Sequence, residues 1–548
     1  MKCALIQFNP KVGDLAANGE KILSLALKAN AAGARLAVTS ELALVGYPPR
    51  DLLLYPSFVA AARSKALELA QKLKDLDLTL ILGTVGENGT GRGRTLANLA
   101  MVIEGGAIRD VYAKRLLPTY DVFDEARYFE PGRAPLVIEV AGQKLALTIC
   151  EDIWNDEAFW TRPLYSLDPL ADHPPFDLLV NLSASPFSVG KQQLRESMLA
   201  ALTMKTKAQA LYVNQVGAND ELIFDGRSVW VDSAGQVLAR AKAFEEDLVV
   251  LDLAKPNSPL LADNLDAEEE TWGALCLGVK DYCEKNGLRT VVIGLSGGID
   301  SALTAAIAVG ALGADKVHGL IMPSPYSSDH SVKDAEELAK NLGLAQTTHI
   351  PIHPIMTGFD TALAPLFKDL APDLAEENIQ ARIRGSLLMA VSNKFGHLLL
   401  TTGNKSEISV GYCTIYGDMC GALAVIGDLY KTEVFRLAQW LNREKIVIPE
   451  NTLLKPPSAE LRPDQKDQDS LPPYAELDRI LKSLLEDRAS PERTAKTADP
   501  QVVRQVATLV RRSEFKRRQA APVLKITGQA FGVGWRMPIT CRSVFMVD

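Results

Sequence analysis

The stretch VVIGLSGGIDSAL, residues 291–303, decides how the second half of the chain is read. Val291 to Leu295 form a short apolar run with the β-branched content of a buried strand. Two adjacent glycines, Gly297 and Gly298, follow, and 302–312 is rich in good helix formers. Strand, glycine loop and helix is how backbone N–H groups cradle phosphate. The common loop G-x-x-x-x-G-K-[ST] carries a lysine, and this one has none. The loop therefore raises the question of which phosphate bond is broken there.

Working outward, apolar runs at 317–322, 347–352 and 398–402 alternate with helical stretches. That alternation predicts a parallel, doubly wound sheet. Upstream lies a helix on which Trp272, Leu275, Val279 and Tyr282 share one face. Cys276 and Cys283 sit seven apart on it, and core packing is expected for both, because no His or Cys partner has ligand spacing. His349 and His353, on a strand and turn, are too far apart for a shared metal and read as structural. LDLAKPNSPLLADNLDAEEE, residues 251–270, reads as a linker. Before it, strands at 2–8, 36–40, 78–85, 145–149, 178–182 and 210–214 interleave with helices and with hairpins such as SVWVDSAGQVLARA. This predicts an α/β layered domain with a mixed sheet. The expected division is 1–253, a linker over 254–268, and 269–548.

Bulk properties narrow the class. The chain has 548 residues, 47% hydrophobic and 23% charged, in the ordinary globular range. A net charge of −8 argues against nucleic acid as a partner but leaves room for a small anion. Seven cysteines, with no C-x-x-C, argue against a disulfide framework and for a reducing cytoplasm. MKCALIQFNPKVGD does not read as a signal peptide, and no apolar run is long enough to predict a membrane span.

Chemistry is concentrated in two places. In LALTICEDIW, Cys150 ends an apolar strand; in LAVTSELALVGYPPRD, Glu41 lies just past another; in DVYAKRLLPTYDVFDEARYF, Lys114 follows a third apolar run. Thiol, carboxylate and ammonium make a complete acyl-transfer set: base, nucleophile and oxyanion partner. These three segments resemble the nitrilase, or carbon–nitrogen hydrolase, family over about 1–253. The resemblance implies an αββα sandwich with Glu41, Lys114 and Cys150 as catalytic triad. It also implies an additional glutamate, for which Glu125 and Glu130 are both candidates. NLSASPFSVGKQQLRE resembles the family's substrate segment. By that resemblance Ser185 and Lys191, with Tyr120, would hold glutamine.

GLSGGIDS, residues 294–301, resembles the signature of the ATP pyrophosphatase (PP-loop) superfamily. Its members cleave ATP between the α and β phosphates and release pyrophosphate. That explains the missing lysine, since no γ-phosphate is transferred. EENIQARIRGSLLMAVSNKFG, LLLTTGNKSEISVGYCTIYGDMCG, KPPSAELRPDQ and EFKRRQAAP resemble the NAD synthetase family over about 269–548. The two halves together resemble its glutamine-fed members. This implies a Rossmann-like parallel-sheet domain after the sandwich. It implies ATP on Gly294, Leu295, Ser296, Gly297, Gly298, Ile299, Asp300, Ser301 and Thr402, with Ser458 and Lys431 as further contacts. Asp300 and Glu407 would serve Mg²⁺. Asn378, Glu407 and Lys516 would contact deamido-NAD. Of the basic cluster Arg511, Arg512, Lys516, Arg517 and Arg518, only Lys516 is expected to bind substrate, the rest forming a solvated face.

The implied reaction joins the sites. Ammonia released from glutamine at Cys150 amidates AMP-activated deamido-NAD; the alternative is another adenylating amidotransferase acting on a different carboxylate. A nucleotide-binding regulator would have no chemical use for a nucleophile, its base and a metal carboxylate. A homo-oligomer, a protected ammonia path, and a lid or binding role for the Pro-rich loop 455–474 are further expectations.

Overall fold

In a computed structural model, residues 1–255 and 260–541 are described. Residues 256–259 of the expected linker and the last residues, 542–548, lie outside them. The chain divides into two compact units, Met1–Leu265 and Asp266–Asp548.

In the first unit, strands such as Leu36–Thr39 and Leu178–Ser183 are buried at every residue, so both their faces must be covered. Two six-stranded mixed sheets do this. One runs in the order Asp247–Asp252, Lys2–Gln7, Leu36–Thr39, Thr79–Glu87, Leu96–Glu104, Ala107–Ala113. The other runs Val237–Arg240, Val229–Val231, Gln209–Asn214, Leu178–Ser183, Gln143–Ile149, Leu136–Val140. Their inner faces share one core that includes Leu5, Val38, Ile81, Leu147, Val180 and Leu211. Helices Leu15–Ala31 and Pro56–Lys72 cover the first sheet through Ile22, Ala26, Ala66 and Leu69. Helix Lys191–Thr206 covers the second through Met198, Leu199 and Leu202. The result is the expected αββα sandwich.

The second unit carries five parallel strands in the order Gln346–His349, Val317–Ile321, Val291–Gly294, Leu398–Thr401, Leu423–Ala424. The chain builds outward from Val291–Gly294 in one direction, then returns to its other side. The glycine loop therefore sits where the strand order reverses, the usual place for a ligand in such sheets. The strand expected over 347–352 ends at His349, and helix His353–Leu363 begins with proline in its first turn. His349 Nε2 lies 3.3 Å from Glu336 Oε1. Helix Ala267–Lys285 opens on a capping box between Asp266 and Glu269 and buries Leu275, Val279 and Cys283. Trp272 and Tyr282 on its expected face are half-buried. Helices Tyr474–Leu485 and Pro500–Arg512 pack on each other through Leu477, Leu481, Val503 and Val506.

Candidate functional site

Three strand ends in the first unit bring the acyl-transfer set together. Glu41 follows Leu36–Thr39, Lys114 follows Ala107–Ala113, and Cys150 follows Gln143–Ile149. Lys114 Nζ donates to Glu41 Oε1 at 2.7 Å and to both Glu125 oxygens at 2.8 Å. Glu41 also accepts from Asn98 Nδ2 at 2.7 Å and from the Ala184 N–H at 3.1 Å. Glu125 accepts from the Tyr47 hydroxyl at 2.9 Å. Of the two acids left open by the sequence, Glu125 faces Lys114; Glu130 instead accepts from the Arg94 N–H at 3.0 Å.

Burial and charge compete here. Burial works against the Lys114 ammonium, but Glu125 and Glu41 overcome it and hold the lysine charged well above its ordinary range. Burial pushes Glu125 up to about 7 against the pull of Lys114. Burial, then the Glu41 carboxylate, pushes the Cys150 thiol up, with Lys114 opposing. A sulfur held this way rests as a thiol, and any use of it as a nucleophile would require a base. Cys150 has φ 43°, a left-handed conformation unusual for a non-glycine residue, at the sharp turn from strand into the 3₁₀ segment Cys150–Ile153.

The two residues after Cys150 organise the surroundings. Asp152 Oδ1 accepts from the N–H groups of Arg115 and Leu116 at 3.0 and 2.8 Å. Its Oδ2 accepts from the Ile149 N–H at 2.9 Å and the Tyr112 hydroxyl at 2.8 Å. One carboxylate thus ties the lysine loop to the cysteine turn. Glu151 accepts from the hydroxyls of Tyr120 and Tyr165 at 3.0 Å each. Asn155 binds the backbone of Tyr165 and Leu167 and so holds the loop that presents Tyr165. The Ser185 N–H donates to Asn214 Oδ1 at 3.0 Å. Lys191 Nζ donates to the Pro186 carbonyl at 2.8 Å and lies 5.7 Å from the centre of the Trp154 ring. Sequence reading passed over Glu151, Asp152 and Tyr165; the acids beside the cysteine were the available signal.

In the second unit the glycine loop opens into a cavity lined by Gly294, Leu295, Ser296, Gly298, Ile299, Asp300, Ser301, Thr402, Glu407, Lys431 and Ser458. Gly297 has φ +73°, and a Cβ there would stand 2.2 Å from the Ser331 carbonyl oxygen. Only glycine fits that approach. The Ser296 and Ser301 hydroxyls are 3.0 Å apart, and the Gly298 N–H donates to Ser296 Oγ at 3.2 Å. Asp300 lies in the first turn of helix Ile299–Leu312 and accepts from Asn404 Nδ2 at 2.9 Å. Lys431 Nζ bridges Asp300 Oδ2 at 2.5 Å and Glu407 Oε1 at 3.0 Å. Burial pushes Glu407 up to about 8, against Lys431 and with Asp300. Asp300 and Glu407 converge on one cation position and face the cavity. Two carboxylates are what a Mg²⁺ ion takes when phosphates and water complete its octahedron, so the pair fits that ion.

Asn378 and Lys516 reach the segment 411–418 rather than the phosphate loop. Asn378 Oδ1 accepts from the Thr414 hydroxyl at 2.7 Å, and Lys516 Nζ donates to the Gly411 and Cys413 carbonyls at 2.7 Å each. Arg517, expected on a solvated face, is buried: it pairs with Glu514 and donates to the Ser409 carbonyl at 2.6 Å. The Pro-rich loop is anchored. Glu460 Oε1 accepts from the Ser328 and Ser331 hydroxyls at 2.9 and 2.7 Å. Just before it, Thr452 Oγ1 donates to the Gly297 carbonyl at 3.2 Å.

Comparison with known proteins places each unit in a class. Residues 2–257 match the carbon–nitrogen hydrolase family and residues 271–520 the NAD synthase family. The whole chain is 52% identical over 547 residues to a glutamine-dependent NAD(+) synthetase of Synechocystis, covering 98% of each chain. It is 43% identical to one of Thermotoga maritima, covering 99% of each. A solved glutamine-dependent NAD+ synthetase from Acinetobacter baumannii, in complex with ADP, superposes with TM-score 0.76 at 40% identity over 98% of both chains. The chain belongs to the glutamine-dependent NAD(+) synthetase family.

Proposed function

We propose that this enzyme amidates deamido-NAD with nitrogen from glutamine, using ATP to activate the acceptor, and that the residues above divide the work as follows. Cys150 attacks the side-chain carbonyl of glutamine while Glu41 takes the thiol proton. Lys114 balances the developing oxyanion, and Glu125 keeps that lysine charged and placed. Glu41 returns the proton to the departing nitrogen, and ammonia leaves. Water, activated by Glu41, then hydrolyses the thioester to glutamate. Ser185, Lys191 and Tyr120 hold the amino-acid head group, with Glu151 and Tyr165 completing that wall.

In the second unit the loop 294–301 and Thr402 hold ATP. The nicotinate carboxylate attacks the α-phosphorus, pyrophosphate leaves, and ammonia displaces AMP from the acyl adenylate to give NAD. Asp300 and Glu407 would hold Mg²⁺, which when bound would supply charge neutralisation at the phosphates. Asn378 and Lys516 support deamido-NAD binding by shaping the 411–418 segment, with Glu407 beside it. Ammonia is mostly protonated in neutral water and then has no lone pair, so a protected path between sites has a chemical purpose.

The observation that carries this reading is a buried Glu–Lys–Cys set in one unit and a lysine-free glycine loop facing an acid pair in the other. A homo-oligomer is supported by helix His353–Leu363, which buries none of its residues, and by the exposed Ile355, Phe359, Leu366 and Leu370 around it. Cytoplasmic location is supported by Cys3, Cys150, Cys276, Cys283, Cys413 and Cys420, which form no disulfide. None of the described helices is long and apolar enough to cross a membrane.

The test supplies ATP, Mg²⁺ and deamido-NAD with either glutamine or ammonium. Cys150→Ala is expected to make NAD from ammonium only. NAD formed from glutamine by that variant sinks the nucleophile, and no NAD from wild type with either donor sinks the whole reading. An external ammonia scavenger should leave glutamine-driven synthesis intact; its abolition rules out the protected path.

A further inference from the structure

Lys431 stands where the acid pair would be expected to hold a metal. Its amino group contacts both Asp300 and Glu407, and its side chain is 3% exposed against 18% and 17% for the two acids. The backbone fixes this position: the Lys431 N–H donates to Ser406 Oγ at 2.9 Å, and its Nζ lies 5.2 Å from the centre of the Tyr474 ring. Lys431 is also the first residue of helix Lys431–Leu441. A cation at that end opposes the positive pole of the helix dipole. The two acids hold the ammonium there against that field.

We propose that Lys431 is the resident cation of the Asp300–Glu407 pair, and that a divalent ion enters only together with the nucleotide. A metal ion arriving alone must evict a buried ammonium and leave it without a counter-charge, which is strongly unfavourable. ATP removes that obstacle because its phosphates bring their own negative charge. Lys431, Asp300 and Gly298 line the same cavity, so phosphates on the glycine loop arrive beside the lysine. The ammonium then passes from carboxylates to phosphate as the divalent ion takes its place. The inference rests on the assignment of Asp300 and Glu407 to the metal.

The test is Mn²⁺ binding by the full-length protein, followed by electron paramagnetic resonance, with and without ATP. Wild type is expected to bind Mn²⁺ tightly only once ATP is present. Lys431→Met is expected to bind it without ATP about tenfold or more tightly than wild type, because the competing charge is gone. Nucleotide-free wild type binding Mn²⁺ as tightly as Lys431→Met, through a site lost in Asp300→Asn, overturns the proposal. If Asp300→Asn leaves Mn²⁺–ATP binding untouched, the metal assignment itself falls, and the inference with it. Should Lys431→Met not fold, Lys431→Gln serves: Mn²⁺ alone should raise the melting temperature of the variant and not of wild type. Equal shifts in the two overturn the proposal.

Discussion

At each candidate site a buried lysine lies between two carboxylates, yet the two sets are sealed differently. Lys114, Glu41 and Glu125 have side chains 0%, 0% and 6% exposed. Lys431 is buried too, but Asp300 and Glu407 open onto a cavity. In the first set the protein supplies every charge, and the proposed reaction brings only a neutral amide to it. In the second, the acids face a cavity open to a charged ligand. Under the proposed function, the same trio of groups would serve as a closed catalytic device in one place and as a receptor in the other.

The strongest way to break this comparison is to remove each lysine. Lys114→Met strands two buried acids, and the first unit is expected to lose about 3–5 kcal/mol. Lys431→Met should cost its unit less, because its acids can reach water through the cavity. Calorimetry that finds equal losses in the two units erases the distinction. Next in size, Gly297→Ala should disable the open site alone. Its Cβ has nowhere to go, so NAD formation from glutamine and from ammonium should both fall about 100-fold or more. Glutamine hydrolysis should continue; its loss as well would mean that the damage is not confined to that site.

Glu125 sharpens the comparison through pH. Its folded carboxyl titrates near 7, above the ordinary 4.5. The folded state therefore binds this proton more tightly than the unfolded chain does. The Glu125 contribution to stability is present below about 4.5 and is lost as pH rises to about 7. Glu125→Gln should show a shallower decline in urea midpoint between these values than wild type; parallel declines would contradict the assigned shift. The smallest effect belongs to Tyr165→Phe. Loss of one hydroxyl from Glu151 should raise KM for glutamine about 3- to 10-fold and leave ammonium-driven synthesis unchanged.

The strand ends were legible because Glu41, Lys114 and Cys150 each follow an apolar run whose length sets where the chain leaves the sheet. The glycine loop was legible for the same reason. Local pattern did not separate Glu125 from Glu130. The 3₁₀ turn Glu125–Arg127, anchored by the Glu125 N–H on the Pro118 carbonyl, aims one of them inward. Lys431 could be suggested as a nucleotide contact, but its grip on Asp300 spans 131 positions of sequence and depends on the sheet order. Lys516 and Asn378 are similar: their motifs mark them, but only the folded chain brings both to the 411–418 segment. Arg517 misled because a run of basic residues does not reveal which one points inward to cap carbonyls.

Asp152 has a mechanical consequence. The loop bearing Lys114 and the turn bearing Cys150 hang from the same carboxylate. A displacement of that carboxylate would carry both segments with it, so their spacing is set by one shared anchor. Lys114 and Cys150 are thus referenced to a single group, much as two instruments bolted to one plate share its alignment.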